Sequence, residues 1–168
     1  MNSASHSEGI LKLAQLAVVG LKNVPAIKSG DNLGRIIVLA ASKQHTKLRT
    51  GDIVVVSQKI VSKAERRFVS LSTIKVSDMA LRLARAMRKD PRQIEVILRE
   101  TKRVVRRRGS HLIVQTRHGL VCANAGVDKS NVDGRDQLSL LPRDPDRSAR
   151  GIRAEIMKTT GKAVAVIV

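Results

Sequence analysis

The spacing of apolar residues along the chain predicts several helices. Apolar side chains recur every three or four positions within 32–42, 79–87 and 147–160, which is the period of a helix with one buried face. Residues suited to N-caps stand before them: Asp31, Ser77 or Asp78, and Asp146. A fourth helix is expected after Asp90, because the following Pro91 is favoured in a first turn. Gly161 is expected to end the last helix.

Short apolar runs rich in β-branched residues predict strands between the helices. The predicted strands are Leu16–Leu21, Ile53–Ser57, Val104–Val105, His111–Thr116, Leu120–Ala123 and Ala163–Val168. The run Ile53–Ser57 is apolar almost throughout, so we expect it to be buried on both faces. A hairpin at Arg117–Gly119 is expected, and Asn124–Asp146 is expected to be a loop. This order of elements predicts a mixed α/β (α+β) fold, a mixed sheet with flanking helices.

Length and composition indicate one globular domain. The chain has 168 residues, of which 42% are hydrophobic, and this favours a folded core over disorder. Phe68 is the one aromatic residue, so the core must be aliphatic. We assign residues 1–16 to a mobile N-terminal tail and 17–168 to the domain.

The same composition argues against a secreted or membrane protein. Cys122 is the one cysteine, so no internal disulfide can form, and a lone cysteine on a strand is more often a buried apolar residue than a nucleophile. No apolar run approaches the ~20 residues that span a bilayer, and the N-terminus lacks the basic start of a signal peptide. We therefore expect a cytoplasmic protein without a membrane partner.

A strong positive charge favours an anionic partner. The formal net charge is +18, and residues 82–109 alone hold 11 basic and 3 acidic side chains. The run Arg106–Arg108 could bind phosphates, or could be a solvated helix end and loop. With one aromatic residue the chain has no set of stacking platforms for single-stranded nucleic acid. Salt-sensitive binding to phosphates alone stays open.

The segment Val121–Asn131 is the most unusual stretch. It sets small residues around Asp128, with Asn124 and Asn131 on either side and Gly126 able to let the backbone approach a ligand. A carboxylate with nearby amides suits a hard cation that holds phosphate oxygens. An Asx-rich turn that caps its own backbone explains the same residues equally well.

A second candidate stretch follows the predicted strand at Ile53–Ser57. Lys59 and Lys63 stand just beyond its carboxyl end, where ligands often bind in α/β sheets. Taken alone, two surface lysines are the simpler explanation. In the third stretch, Leu141–Ala149, the simplest role of Asp146 is to cap the following helix.

Five segments together resemble the coenzyme F-420-0:L-glutamate ligase (γ-glutamyl ligase) family. The segments are VPAIKSGDNL at Val24–Leu33, GDIVVVSQKIVSKAE at Gly51–Glu65, DPRQIEVILRE at Asp90–Glu100, TRHGLVCANAGVDKSNV at Thr116–Val132 and LPRDPDRSARGIR at Leu141–Arg153. The similarity covers about Ala17 to Val168, nearly the whole chain.

The resemblance implies an activity and a set of ligands. The family joins L-glutamate to a deazaflavin cofactor precursor with GTP and a divalent metal, Mg²⁺ or Mn²⁺, and monovalent K⁺ is a further ion that the resemblance suggests. The implied chemistry forms an acyl phosphate, which the glutamate amine then attacks. The resemblance also implies a homodimer. The alternative function is a non-catalytic basic module that binds phosphates or nucleic acid on the same scaffold, and we rank it second because charge is the weaker signal.

Site residues carry over from the resemblance by position. Asp128 matches a metal-binding carboxylate. The positions that match nucleotide-binding residues are Asn23, Val24, Pro25, Gln58, Lys59, Lys63 and Asn131. Catalytic residues remain unassigned.

Three departures from the family pattern bear on the site. Asn23 and Arg66 stand where the family often has glycine, and asparagine tolerates left-handed backbone geometry. In the family, the strand that matches Ala163–Val168 leads into an Asp-Thr motif that completes the metal site. We therefore expect one of three cases: this sequence is the N-terminal part of a longer domain, it needs a complementary C-terminal chain, or it has lost ligase activity.

Overall fold

The computed structural model describes residues 16–129 and 136–168. Within these ranges the helices are Leu33–Lys43 (α1), Gln58–Ala64 (α2), Asp78–Met87 (α3), Pro91–Glu100 (α4) and Pro145–Thr160 (α5). The strands are Ile53–Val55 (β1), Phe68–Ser70 (β2), Thr101–Arg108 (β3), His111–Thr116 (β4), Val121–Ala123 (β5), Gln137–Ser139 (β6) and Ala165–Ile167 (β7). The predicted mixed α/β class is confirmed. Except for Leu16, the predicted tail lies outside the described residues.

The described strands form three small sheets. β1 pairs in parallel with β7, β2 pairs antiparallel with β6, and β3, β4 and β5 form an antiparallel sheet in that order. The hairpin predicted at Arg117–Gly119 joins β4 to β5. Parallel and antiparallel pairs both occur, and they lie in separate sheets of the described chain.

Side-chain caps begin four of the helices. Ser77 and Asp90 accept backbone N–H groups at the starts of α3 and α4, as predicted. The predicted caps of α1 and α5 are wrong, because Asn32 caps α1 and Asp144 caps α5. The Asp31 carboxylate instead accepts the Lys28 N–H at 2.7 Å. Asp146 lies in the first turn of α5, since Pro145 already occupies the start of that helix.

Other expected boundaries also change. Leu16–Leu21 is not a strand, because within the described residues no neighbouring strand pairs with it. β1 is not buried on both faces: Ile53 is 61% and Val55 is 73% exposed, since β1 pairs only with β7 and the described chain packs against one face. Gly161 ends α5 in the left-handed conformation, as predicted.

Several elements have no counterpart in the sequence prediction. α2 and β2 follow β1, and β6 lies within the predicted loop Asn124–Asp146. The run Arg106–Arg108 lies in β3 and not at a solvated helix end or loop. The strands β2 and β6 have only three residues each, so pairing with distant residues decides their conformation.

Two aliphatic cores lie within the described chain. The larger contains α3, α4 and the inner face of β4, with Leu71, Ile94 and Leu112 almost fully buried. The smaller packs α1 against α5 and contains Val61 of α2 and Ile156. The two cores meet where the Ser62 hydroxyl of α2 bonds the Leu140 carbonyl just after β6, because α2 contributes Val61 to the smaller core and Leu140 lies in the larger one.

Within the described ranges, none of the helices combines the length and apolar composition that crossing a membrane requires.

Candidate functional site

The helix α2 is fixed by a buried serine that the sequence analysis did not single out. The Ser62 hydroxyl donates to the Leu140 carbonyl at 2.6 Å, and the Gln58 side-chain amide donates to the Ser62 oxygen at 2.8 Å. Ser62 is fully buried, so these bonds satisfy polar groups that water cannot reach. The Gln58 side chain, predicted to bind nucleotide, therefore holds α2 against the segment that follows β6.

Lys59 and Asp128 form the central contact of the candidate site. The Lys59 Nζ lies 2.8 Å from Asp128 Oδ2, although 69 residues separate them in the chain. The side chains are 29% and 45% exposed, so the pair is open to solvent on one side. Lys63 is one helical turn after Lys59 on the same face of α2. The structure thus brings together two of the segments in which the sequence analysis placed site residues.

The backbone around Asp128 is held from both sides. The Asp128 N–H donates to the Ser139 carbonyl at 3.1 Å, and the Ser139 N–H returns a bond of 2.8 Å. Before it, Asn124, Ala125 and Gly126 all have positive φ angles. The Asn124 side-chain oxygen accepts the Leu112 N–H at 3.1 Å. Asn124 thus bonds the backbone of the neighbouring strand β4 and not that of its own turn, and the Asp128 carboxylate contacts a lysine.

Gly126 meets a side chain rather than open space. A Cβ at this position would lie 2.8 Å from Leu141 Cγ, well inside van der Waals contact. The close backbone approach that glycine allows here is to Leu141, and it packs the Asp128 loop against the segment after β6.

The loop with Asn23, Val24 and Pro25 follows residues that α1 positions. The residues just before it are held by Gln44 at the carboxyl end of α1, whose side chain accepts the Lys22 N–H at 2.7 Å and donates to the Gly20 carbonyl. Asn23 has φ of 55°, the left-handed geometry for which asparagine was expected to substitute for glycine. Among the described residues, no hydrogen bond joins this loop to α2 or Asp128. Asn131 lies outside the described residues.

Arg66, which stands where the family often has glycine, is accommodated by the local structure. It adopts a φ of 56°, and its Nε donates to the Ser29 hydroxyl at 2.7 Å. The Gly30 N–H donates to the Ala64 carbonyl at 2.8 Å. These bonds join the loop before α1 to the end of α2. They border a cavity of about 520 Å³ that the sequence analysis did not find, lined by Glu65, Arg147 and Ser148 among others.

The donors around Asp128 do not make a self-contained metal site. Within residues 16–129 and 136–168, no group of three or more His, Cys, Asp and Glu side chains is close enough to hold a metal ion. Mg²⁺ and Mn²⁺ require several oxygen ligands, whereas the described neighbour of the Asp128 carboxylate is the Lys59 ammonium. The described residues thus do not fit the implied divalent ion on their own.

Cys122 has the character of a buried apolar residue. Burial raises the pKa of the Cys122 thiol, because the thiolate would lose solvation at this half-buried position in β5. This agrees with the structural role expected from the sequence.

Comparison with known proteins supplies a family. The sequence model described as F420-0:Gamma-glutamyl ligase matches residues 22–168. The chain is 42% identical over 154 residues to the coenzyme F420:L-glutamate ligase of Methanothermobacter thermautotrophicus, covering 91% of this chain and 60% of that protein. It is 38% identical to the protein of the same name from Methanocaldococcus jannaschii, with 92% and 59% covered. With that of Archaeoglobus fulgidus it shares 34% identity, with 92% and 59% covered. The chain therefore spans about three fifths of the length of these relatives.

Proposed function

Because this chain belongs to the F420-0:gamma-glutamyl ligase family, we propose that it forms part of an amide-forming ligase that adds L-glutamate to the deazaflavin precursor F420-0. The names of its relatives support this class of reaction. The chain spans about 60% of their length, so the complete activity is assigned to this chain together with a polypeptide equivalent to the relatives' remaining part.

The contact between Lys59 and Asp128 carries the proposal. It joins the segment after β1 to the Asp128 loop, and both segments belong to the resemblance that identified the family. Lys59 and Lys63 provide two cationic groups on one face of α2, and Asp128 holds the first of them at a partly exposed position. Ammonium groups in this arrangement suit the phosphates of a nucleotide.

The proposed co-substrate is GTP. An oxygen of the precursor's carboxylate attacks the γ-phosphorus, so the bond to GDP breaks and an acyl phosphate forms. The amine of L-glutamate then attacks the acyl carbon, and inorganic phosphate leaves as the amide forms. In this scheme Lys59 offsets phosphate charge, while the fixed backbone of Asp128 keeps the lysine in place. No step is assigned to a metal ion, because the described donors do not fit one.

We further propose, from the family resemblance, a cytoplasmic location and an assembly that is a homodimer or includes a complementary C-terminal chain. We also propose that the completed enzyme requires Mg²⁺ or Mn²⁺, with K⁺.

Equilibrium binding of GTP to the purified chain tests the role of Lys59. We expect Lys59→Met to weaken GTP binding at least about tenfold, because a hydrogen bond to a charged group contributes about 1.5–3 kcal/mol, whereas Lys59→Arg retains most of the affinity. Lys158→Met, which removes one exposed cation from α5, is the matched control. Equal affinities in Lys59→Met and the unsubstituted chain would reject the nucleotide site.

Turnover tests the reaction itself. GTP hydrolysis that depends on both L-glutamate and F420-0 is measured for the chain with and without a polypeptide equivalent to the remaining two fifths of a relative. We expect turnover in the completed preparation and its loss in Asp128→Asn. If the completed preparation shows no glutamate-dependent turnover, the ligase assignment of this chain is wrong.

A further inference from the structure

The strand β3 has an exceptional exposure and charge for a sheet strand. Five of its eight residues are basic, and every residue after Thr101 is exposed. Between Thr101 and Val127 the sequence holds six basic residues and no acidic residue. Within the described part of the chain, no salt bridge involves a cation of β3. The ligase chemistry proposed above makes no use of this strand.

Two irregularities in the pairing place three arginines on one face. The register shifts between Thr101 and Arg103 and again between Val104 and Arg106. As a result Arg103, Arg106 and Arg108 lie opposite residues of β4 that share one face, respectively Gln115, Ile113 and His111. The other face of β4 carries Leu112, Val114 and Thr116, which are buried in the larger core. The arginine row therefore lies on the outer face, and β3 is an edge strand of this sheet among the described residues.

We propose that this outer row, defined as Arg103, Arg106 and Arg108, binds the phosphate backbone of double-stranded nucleic acid without sequence preference. Alternate side chains of a strand are about 6.7 Å apart. Phosphates of one nucleic-acid strand follow at about 3.4 Å along the axis and also wind around it, so neighbouring phosphates lie about twice that distance apart in space, which is close to the side-chain spacing. Phosphate contacts of this kind position a protein but do not select a sequence.

Other occupants fit this surface less well. Single-stranded nucleic acid requires stacking aromatics, and Phe68 lies in a different sheet. Binding to an anionic membrane surface relies on Trp, Phe or Leu anchors, whereas the apolar residues of the outer face are Ile113, Val121 and Ala123. Symmetric pairing of β3 with a second copy would place the same five cations against each other.

The experiment measures binding of a short mixed-sequence DNA duplex to the full chain as salt rises from about 50 to about 200 mM. Three phosphate contacts contribute about −2.7 to the slope of log affinity against log salt. We expect Arg103→Gln/Arg106→Gln/Arg108→Gln to make the slope shallower by about that amount and to weaken binding at least tenfold at the lower salt. Arg153→Gln/Lys158→Gln/Lys162→Gln, with the same change in net charge on and after α5, is the matched control.

Four results would overturn the proposal. The first is an equal loss of affinity in both triple variants, which would show that net charge alone attracts DNA. The second is tighter binding to vesicles that contain phosphatidylserine than to the duplex at the same salt. The third is a change of sedimentation coefficient in the β3 variant with unchanged DNA binding, which would assign the strand to a contact between copies. The fourth is tighter binding of the unsubstituted chain to single-stranded DNA than to the duplex.

Thermal unfolding of each variant verifies that the fold persists. GTP binding of the β3 variant is expected to be unchanged, so failure of the DNA-binding proposal leaves the ligase proposal intact.

Discussion

At the scale of single residues, backbone conformation explains where this chain departs from a simple sequence pattern. Asn23 and Arg66 both adopt left-handed geometry, at φ of 55° and 56°. Asparagine tolerates this geometry through its short polar side chain, and Arg66 gains a bond to Ser29. Gly126 combines a positive φ with direct packing on Leu141, so two separate constraints select glycine there.

Substitution of Gly126 separates these two constraints. We expect Gly126→Ala to lower the free energy of unfolding by about 2–5 kcal/mol, because left-handed alanine costs about 1–2 kcal/mol and overpacking adds about 1–3 kcal/mol. Gly109→Ala is the control, since that glycine also has positive φ but faces open space, and it should lose only the conformational cost of about 1–2 kcal/mol. The measurement is the urea midpoint. In a Leu141→Ala background the two alanine variants should cost the same, and a persistent difference would contradict the packing explanation.

At the scale of elements, helix starts depend on which of two neighbouring polar residues reaches the backbone. Asn32 caps α1 while Asp31 binds Lys28, and Asp144 caps α5 while Asp146 lies inside its first turn. The start of α3 is tied to α4, because the Glu95 carboxylate accepts both the Ser77 hydroxyl at 2.6 Å and the Ser77 N–H at 3.0 Å. Ser77 thus both caps α3, by accepting the Ala80 N–H, and joins α3 to α4.

The link between α3 and α4 predicts a pH dependence of stability. The Ser77 hydroxyl is the main group that holds the pKa of the Glu95 carboxyl below its ordinary value of 4.5, and the Ser77 N–H and Arg99 add to it. A lowered pKa stabilises the fold fully above that ordinary value, and this contribution is lost as the pH falls through the lower folded value. Glu95→Gln should therefore cost about 1 kcal/mol at pH 7 and almost nothing in stronger acid.

Urea unfolding across the acid range measures this effect. Glu155→Gln removes one carboxylate from α5 and is the matched control. The difference between wild type and Glu95→Gln should shrink below pH 4.5. A difference that stays constant from neutral to acid pH would show that the hydrogen bonds to Glu95 do not depend on its charge.

At the scale of the whole molecule, the candidate site lies where the two cores meet. Arg67 is central to this junction: its backbone carbonyl accepts the Leu140 N–H, its Nε donates to the Leu141 carbonyl, and its guanidinium lies 2.9 Å from Glu100. The side chains of Arg67 and Glu100 are 13% and 21% exposed, so the pair is largely shielded from water. The position of Asp128 relative to α2 therefore depends on this junction.

Removal of Arg67 should destabilise the whole described fold. We expect Arg67→Met to cost about 3 kcal/mol, because breaking a shielded ion pair leaves Glu100 and a carbonyl without their donor. Glu100→Gln is the second arm of a double-mutant cycle, and the coupling energy should be at least about 1 kcal/mol. Chemical denaturation gives the values. Strict additivity of the two substitutions would show that the ion pair contributes no energy of its own.

Local patterns were sufficient for some features of this protein. The apolar period predicted α1, α3, α4 and α5, and alternating or continuous apolar runs predicted β4, β5 and the hairpin between them. The ordered motifs identified the family, which the comparisons confirmed. These features depend on neighbours within a few residues, or on residue identities themselves, so a single sequence contains the information.

Other features were decided only by tertiary structure. β2, β6 and the exposed faces of β1 depend on partners distant in the chain. The contact of Lys59 with Asp128 spans 69 positions, and no local pattern could predict which of the candidate residues would meet. The arginine row on β3 exists because two register shifts determine which face of the sheet each side chain lies on. Such shifts depend on the geometry of strand pairing and not on the sequence period.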